Sequence, residues 1–139
     1  VKPFEKMIKI IIADDHPAVR NAWNVFLSAH ENIQVLAECG NGREAINKAA
    51  ELSPDIVLMD INMADMSGIE ATKEIVAHFP GIKVIGVSFH TASVYIERMI
   101  EAGARGYVFK HVVADQLVKA IYEVYSGDIY IATENLTLK

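Results

Sequence analysis

The apolar positions of this chain fall into short blocks of two kinds, and their alternation sets the expected architecture. Met7 to Ala13 is a β-branched, strand-like run closed by Asp14-Asp15-His16-Pro17. Pro17 suits a first helical turn with Asp15 or His16 as N-cap. Val19, Ala22, Trp23, Phe26 and Leu27 then recur at helical spacing. Ile33 to Cys39 reads as a second strand, and Gly40-Asn41-Gly42 turns into a helix carrying Ala45, Ile46, Ala49 and Leu52. Ser53-Pro54 stops that helix before Ile56 to Asp60. Here four apolar residues without polar alternation suit a strand buried on both faces. A loop from Asn62 to Gly68 leads to a helix with Ile69, Ile75, Val76 and Phe79, ended by Pro80-Gly81. Ile82 to Val87 is a fourth strand, Ile96 to Ala102 a helix with Gly103 at its C-cap, and Gly106 to Phe109 a fifth strand. Leu117, Val118, Ile121 and Val124 stripe the last helix up to Gly127.

Five strands alternating with five helices predict a doubly wound parallel α/β sheet, a three-layer sandwich with right-handed crossovers. Residues 128–139 lack a helical stripe and read as a linker or tail, and residues 1–6 as an N-terminal tail. Composition narrows the setting further. At 139 residues, 52 % apolar and mean hydropathy +0.22, the chain has the material for one compact domain. Its apolar runs are strand-sized, so no membrane-spanning helix is expected. A single cysteine, Cys39, excludes an intrachain disulfide and fits a cytoplasmic protein. The net charge of −5 argues against nucleic-acid binding by this segment.

Parallel strands deliver their C-terminal ends to one edge, where open α/β sheets bind ligands. The first strand brings Asp14 and Asp15, the third Asp60, the fourth Ser88 and the fifth Lys110. Two carboxylates about 4 Å apart repel by roughly 4 kcal/mol at an effective dielectric near 20. Such a cluster calls for a cation, and hard oxygen ligands suit Mg²⁺. Added phosphoryl oxygens would engage both the metal and Lys110, which suits phosphoryl transfer to a carboxylate nucleophile. Taken singly, Asp14 or Asp15 is an N-cap, Ser88 a turn residue and Lys110 a solvated charge. Their joint placement at successive strand ends carries the functional reading.

From Met7 to about Gly127 the chain resembles the receiver domain of bacterial two-component response regulators. The resemblance rests on Asp14-Asp15, LMD ending at Asp60, Gly68, Ser88, and GYVFK ending at Lys110. The ADDHPAVR, DINMADMSGIEA and AGARGYVFK segments look most like the NarL/FixJ-type subgroup. The resemblance implies the flavodoxin-like (CheY-like) fold, five strands in order 2-1-3-4-5 with helices on both faces, over residues 7–127. It makes Asp60 the acceptor of a phosphoryl group from a sensor histidine kinase. Asp15, Asp60 and the main-chain carbonyl of Asn62 become Mg²⁺ ligands, with Asp14 acting through a metal-bound water and Lys110 pairing with phosphoryl oxygens. Ser88 would bond the phosphoryl group and Tyr107 would then turn inward, biasing an existing two-state equilibrium.

Three departures from the family pattern stand out. Ala64 replaces a common proline, so the loop after Asp60 is expected to be less fixed. Phe89 replaces a smaller residue and is expected, with neighbouring His90, to modulate access to Asp60. His111 stands where many receivers have proline. Regulators of this subgroup carry a helix-turn-helix DNA-binding domain after the receiver, and Ser126 to Ile131 resembles the start of their linker. That implies a transcription regulator with phosphorylation-dependent homodimerisation as a further expectation.

Other readings are weaker. Gly40-Asn41-Gly42-Arg43-Glu44-Ala45 fits a dinucleotide fingerprint, but it follows the second strand and leaves the acidic cluster unexplained. A Mg²⁺-dependent phosphatase with an aspartyl nucleophile needs an acid two residues after it, where Asn62 stands. A degenerate receiver that only binds partners would not need the full residue set. The five histidines show no metal-ligand spacing, with His90 and His111 expected to line loops near the site. Cys39 and Trp23 read as core.

Overall fold

The computed structural model describes residues 7–111 and 114–132, so the tail expected at 1–6 and the end of the expected linker lie outside it. The strands are β1 (Ile8–Ala13), β2 (Ile33–Cys39), β3 (Ile56–Asp60), β4 (Lys83–Ser88), β5 (Gly106–Phe109) and β6 (Tyr130–Ile131). The helices are α1 (Pro17–Ser28), α2 (Gly42–Leu52), α3 (Gly68–His78), α4 (Ser93–Glu101) and α5 (Ala114–Tyr125). All strand pairs are parallel, in the order β2-β1-β3-β4-β5-β6.

This corrects the expected five-stranded order by one strand. Two residues cannot display a hydrophobic period, and the sixth strand is held by backbone bonds instead. The Tyr130 N–H donates to the Arg105 carbonyl at 3.1 Å and the Ala132 N–H to that of Tyr107 at 2.9 Å. The chain leaves α5 through Gly127 at φ +106° and runs back along the open edge of β5. An unpaired edge is thereby covered by part of the stretch expected to be a linker.

Strand alternation sorts the core into two layers. Ile11, Ala13, Val57, Met59, Val84 and Tyr107 face α2, α3 and α4, whereas Ile10, Ile12, Ile56, Leu58, Ile85 and Val108 face α1 and α5. Every residue of β3 is buried, so each of its large side chains contributes roughly 1.5–3 kcal/mol from removing apolar area from water. Trp23 is half-buried on the α1/α5 layer, and Cys39 is fully buried. Burial pushes the Cys39 thiol up to about 12, so it packs as an inert apolar group.

The dinucleotide-like stretch is a capped helix start. The Asn41 side chain accepts from the Glu44 N–H at 2.8 Å, and the Glu44 carboxylate accepts from the Gly40 N–H at 2.6 Å. A Cβ at Gly42 would meet Met66 at 3.1 Å and Ala71 at 3.2 Å, so this glycine serves helix packing.

Gly68 is under a harsher constraint. A Cβ there would lie 1.9 Å from the Asp60 carbonyl oxygen, and the Gly68 N–H already donates to the Ile61 carbonyl at 2.8 Å. The start of α3 is therefore pressed directly against the end of β3. Gly68→Ala should lower stability by about 3 kcal/mol, the upper part of the overpacking range, because only backbone can yield. Chemical denaturation would show it as a lower midpoint at unchanged slope.

Candidate functional site at the carboxyl edge of the sheet

Asp14 and Asp60 leave β1 and β3 side by side and are 3 % and 4 % exposed. Lys110 follows β5, and its N–H donates to the Ser88 carbonyl at 2.8 Å, which fixes it beside the end of β4. Its ammonium reaches Asp14 at 2.6 Å and Asp60 at 3.3 Å, with all three side chains at most 6 % exposed. One buried cation thus bridges two buried carboxylates, a geometry in which charge-assisted bonds are strong and an unpaired partner is costly.

Burial is the largest influence on Asp60 and raises its carboxyl above the ordinary range. Lys110 pulls it back down, and the neighbouring Asp14 charge pushes it up again. The Asn62 N–H donates to Asp60 at 3.4 Å, a weak tether. Asp15 sits at the rim, partly exposed.

Ser88 is buried, and its hydroxyl accepts from the His90 N–H at 3.0 Å. Tyr107 lies inward, fully buried, with its hydroxyl donating to the His90 carbonyl at 2.8 Å. Burial raises the Tyr107 phenol, so it stays a neutral donor. The His90 ring stacks on Tyr95 at 4.1 Å between centroids and pairs with the Asn62 amide. The His111 ring stacks on Phe109 at 5.6 Å between centroids.

Phe89 is 66 % exposed, and its ring lies with the Lys110 ammonium 5.4 Å from the centroid. It lines a surface cleft with Ala18, Val19, Ala22, Trp23 and Lys110. After Asp60 the loop closes a tight turn in which the Met66 N–H donates to the Ala64 carbonyl at 2.8 Å, with Asp65 at φ +70°. That is the rarer, strained hand of the three-residue γ-turn.

Two residues join the site that the sequence reading did not assign to it. The imidazole Nδ1 of His16 is hydrogen-bonded to Asp14 at 3.1 Å and lies 2.9 Å from Asp15, although the histidines show no metal-ligand spacing in the sequence. The His16 N–H donates to Asp14 at 2.9 Å, and Pro17 starts α1 immediately after, so the turn folds the ring back onto the carboxylates. His16 is the N-cap residue of α1, but its side chain makes no capping bond. Arg20, one turn further on, donates to the Asp14 carbonyl at 2.8 Å and lies 3.5 Å from Glu38. Contacts to main-chain carbonyls leave no spacing signature.

The residues present fit Mg²⁺. Asp14, Asp15, His16 and Asp60 each bring a ligand atom within 4.8 Å of the others. The Oδ1 of Asp15 is buried yet makes no hydrogen bond among the described residues. His16 comes within 2.9 Å of it, outside hydrogen-bonding geometry. A buried carboxylate oxygen facing other carboxylates is the donor a hard cation satisfies.

Comparison with known proteins agrees with this geometry. The sequence model of the response regulator receiver domain matches residues 10–122. Transcriptional regulatory protein LnrK of Bacillus subtilis (strain 168) is 44 % identical over 128 residues, covering 92 % of this chain and 58 % of that protein. The crystal structure of a LuxR-family two-component response regulator from Aurantimonas sp. SI85-9A1 superposes with a TM-score of 0.89 at 30 % identity, over 96 % of this chain and 94 % of that one. A DNA-binding response regulator of the LuxR family from Staphylococcus aureus does so with a TM-score of 0.81 at 31 % identity, over 86 % and 99 %. The chain therefore spans less than two thirds of the length of the curated relative. Among the described residues no helix is long and apolar enough to cross a membrane. On fold, site and sequence together, the chain belongs to the response regulator receiver domain family, the signal-receiving module of two-component systems.

Proposed function

We propose that the chain accepts one phosphoryl group on Asp60 from the phosphohistidine of a sensor histidine kinase. The observation that carries this is the buried Asp14–Lys110–Asp60 bridge at 2.6 and 3.3 Å. It keeps a nucleophilic carboxylate beside a cation able to take up phosphoryl charge. A carboxylate oxygen of Asp60 forms the new O–P bond as the P–N bond to the donor imidazole breaks. The electron pair leaves with that imidazole, which solvent reprotonates. Lys110 exchanges part of its pairing with Asp14 for the incoming phosphoryl oxygens, and the Ser88 hydroxyl donates to another.

Asp15, Asp60 and the Asn62 carbonyl would hold Mg²⁺, with Asp14 acting through water. When bound, the ion supplies charge neutralisation and alignment of the phosphoryl oxygens. Recruitment of Ser88 draws on the group that now accepts from His90, and Tyr107 is bonded to the same residue's carbonyl. Those two contacts are the route by which phosphorylation biases the switch. The output is a DNA-binding transcriptional module outside this segment, acting in the cytoplasm and assembled through a phosphorylation-dependent homodimer. The domain turns over no separate substrate beyond releasing its own phosphoryl group.

Access is the second half of the proposal. The Phe89 ring covers the Lys110 side of the site, while His90 and the Ala64 turn border the Asn62 side. A cation–π contact to an exposed ring such as Phe89 contributes about 0.5–1 kcal/mol, so its loss corresponds to a roughly two- to fivefold rate change. With Mg²⁺ and acetyl phosphate, intact mass should show one added phosphoryl group, and excess chelator should prevent it. Phe89→Ala should gain and lose the group two- to fivefold faster. Unchanged rates in both directions would remove Phe89 from the account.

A further inference from the structure

We propose that β6 carries the state of the Tyr107 contact out of the domain: it is seated on β5 while the Tyr107 hydroxyl is bonded to His90, and it undocks when that bond is lost. The inference rests on the switch reading proposed above and extends it to the segment that follows α5. The two ends of Tyr107 carry the argument. Its hydroxyl donates to the His90 carbonyl at 2.8 Å, and its main-chain carbonyl accepts from the Ala132 N–H at 2.9 Å. One residue thus holds the loop after Ser88 with its side chain and the exit segment with its backbone. Strand order sets this up. β5 lies between β4, which ends on Ser88, and β6, with Tyr107 opposite Gly86 on one side and Ile131 on the other.

Packing couples the same residues. Ala132 is buried in the apolar layer that holds Tyr107 and Met99, and Tyr130 and Ile131 pack against that layer. A Tyr107 ring that shifts therefore disturbs the surface on which β6 is seated. The seat itself is slight. β6 is two residues long with half-buried side chains, and a second bond runs from the Tyr130 N–H to the Arg105 carbonyl at 3.1 Å. Elements this short and exposed open at the low end of a protein's stability range, so a small bias at Tyr107 decides their population. The approach to the sheet is preset at the end of α5. The Gly127 N–H donates to the Val124 carbonyl and the Asp128 N–H to the Glu123 carbonyl, both at 3.0 Å, with Gly127 in the left-handed conformation of a glycine C-cap. Docked and undocked forms thus share one exit from α5 and differ in whether residues 130–132 are seated. In the switch reading, phosphorylation favours the inward Tyr107, so it seats β6.

Amide hydrogen exchange read by NMR tests this residue by residue. In Tyr107→Phe, which keeps the ring and removes the hydroxyl, the Ala132 amide should exchange about fivefold faster or more, while the β3 amides keep their protection. Unchanged exchange at Ala132 would overturn the inference, and this comparison needs no phosphoryl group. With Mg²⁺ and beryllium trifluoride as phosphoryl mimic, the wild-type Ala132 amide should exchange about fivefold more slowly or beyond. Coupling is reciprocal, so Ala132→Pro, which deletes the donor to Tyr107, should weaken mimic binding. Trp23 lines a small cavity with Asp14 and Asp60 and is the chain's single tryptophan, so its fluorescence follows that binding. Mimic binding with no change at Ala132 would overturn the inference and leave Asp60 as the acceptor. Failure to bind the mimic would overturn the acceptor reading and, with it, the seating of β6 by phosphorylation.

Discussion

Asp60→Asn should abolish phosphoryl uptake completely while making the metal-free protein more stable at neutral pH. The first effect follows from chemistry, since an amide offers no carboxylate oxygen to form the O–P bond. The second follows from the electrostatics of the site. Burial raises the Asp60 carboxyl in the folded state, with Lys110 offsetting only part of this and Asp14 adding to it. A carboxyl raised on folding binds its proton more tightly in the native state. Stability therefore falls as pH rises from the unfolded value through the folded one. At neutral pH the ionised Asp60 is a cost that asparagine does not carry. In chelator, the Tm advantage of Asp60→Asn should be largest near neutrality and shrink as pH falls through the folded pKa of Asp60. An advantage that grew toward acid would mean that Lys110 outweighs burial.

Lys110→Ala is the second large effect, and here function and stability fall together. Its side chain is 5 % exposed, and its ammonium lies within reach of two carboxylates that are themselves buried. Removing it leaves both without their shared cation, and breaking a buried pair costs about 3–5 kcal/mol. For a domain of this size that is a Tm loss of roughly 10 °C or more. The loss should be partly recovered by adding Asp14→Asn, because the orphaned charge nearest Lys110 is then gone. A double-variant cycle gives that coupling directly. Phosphoryl uptake should stay low in both variants, since neither restores a cation for the phosphoryl oxygens. If the second substitution added its own loss in full, the 2.6 Å contact would carry no net coupling.

The catalytic geometry was legible in the sequence to the extent that strand ends are. Ile56 to Met59 has no polar interruption, so its burial on both faces and the emergence of Asp60 follow from pattern alone. Once five parallel strands are placed, Asp14, Ser88 and Lys110 reach the same edge by topology. What the pattern missed depends on contacts without a period. The sixth strand is two residues long and is held by main-chain bonds to Arg105 and Tyr107. Its side chains are only half-buried and show no distinctive spacing. Arg20 acts on a backbone carbonyl, which any donor one turn into α1 could reach. His16 has no partner histidine at ligand spacing, and only the turn between β1 and α1 brings it onto Asp14 and Asp15.

Phe89 shows where a sequence departure gains geometric content. Following the switch serine, it was expected to modulate access to Asp60. The ring lies with the Lys110 ammonium 5.4 Å from its centroid, beside the cation that bridges Asp14 and Asp60.

Borohydride reduction of the protein after incubation with Mg²⁺ and acetyl phosphate tests the central claim most directly. An acyl phosphate on an aspartyl side chain is reduced to the alcohol, leaving homoserine where the phosphoryl group had been. Fragment-ion sequencing should place homoserine at position 60 alone, at a yield matching the phosphoryl gain seen in the intact mass. Homoserine at position 14 or 15, or a phosphoryl gain without homoserine at 60, would contradict the assignment of Asp60 as the acceptor.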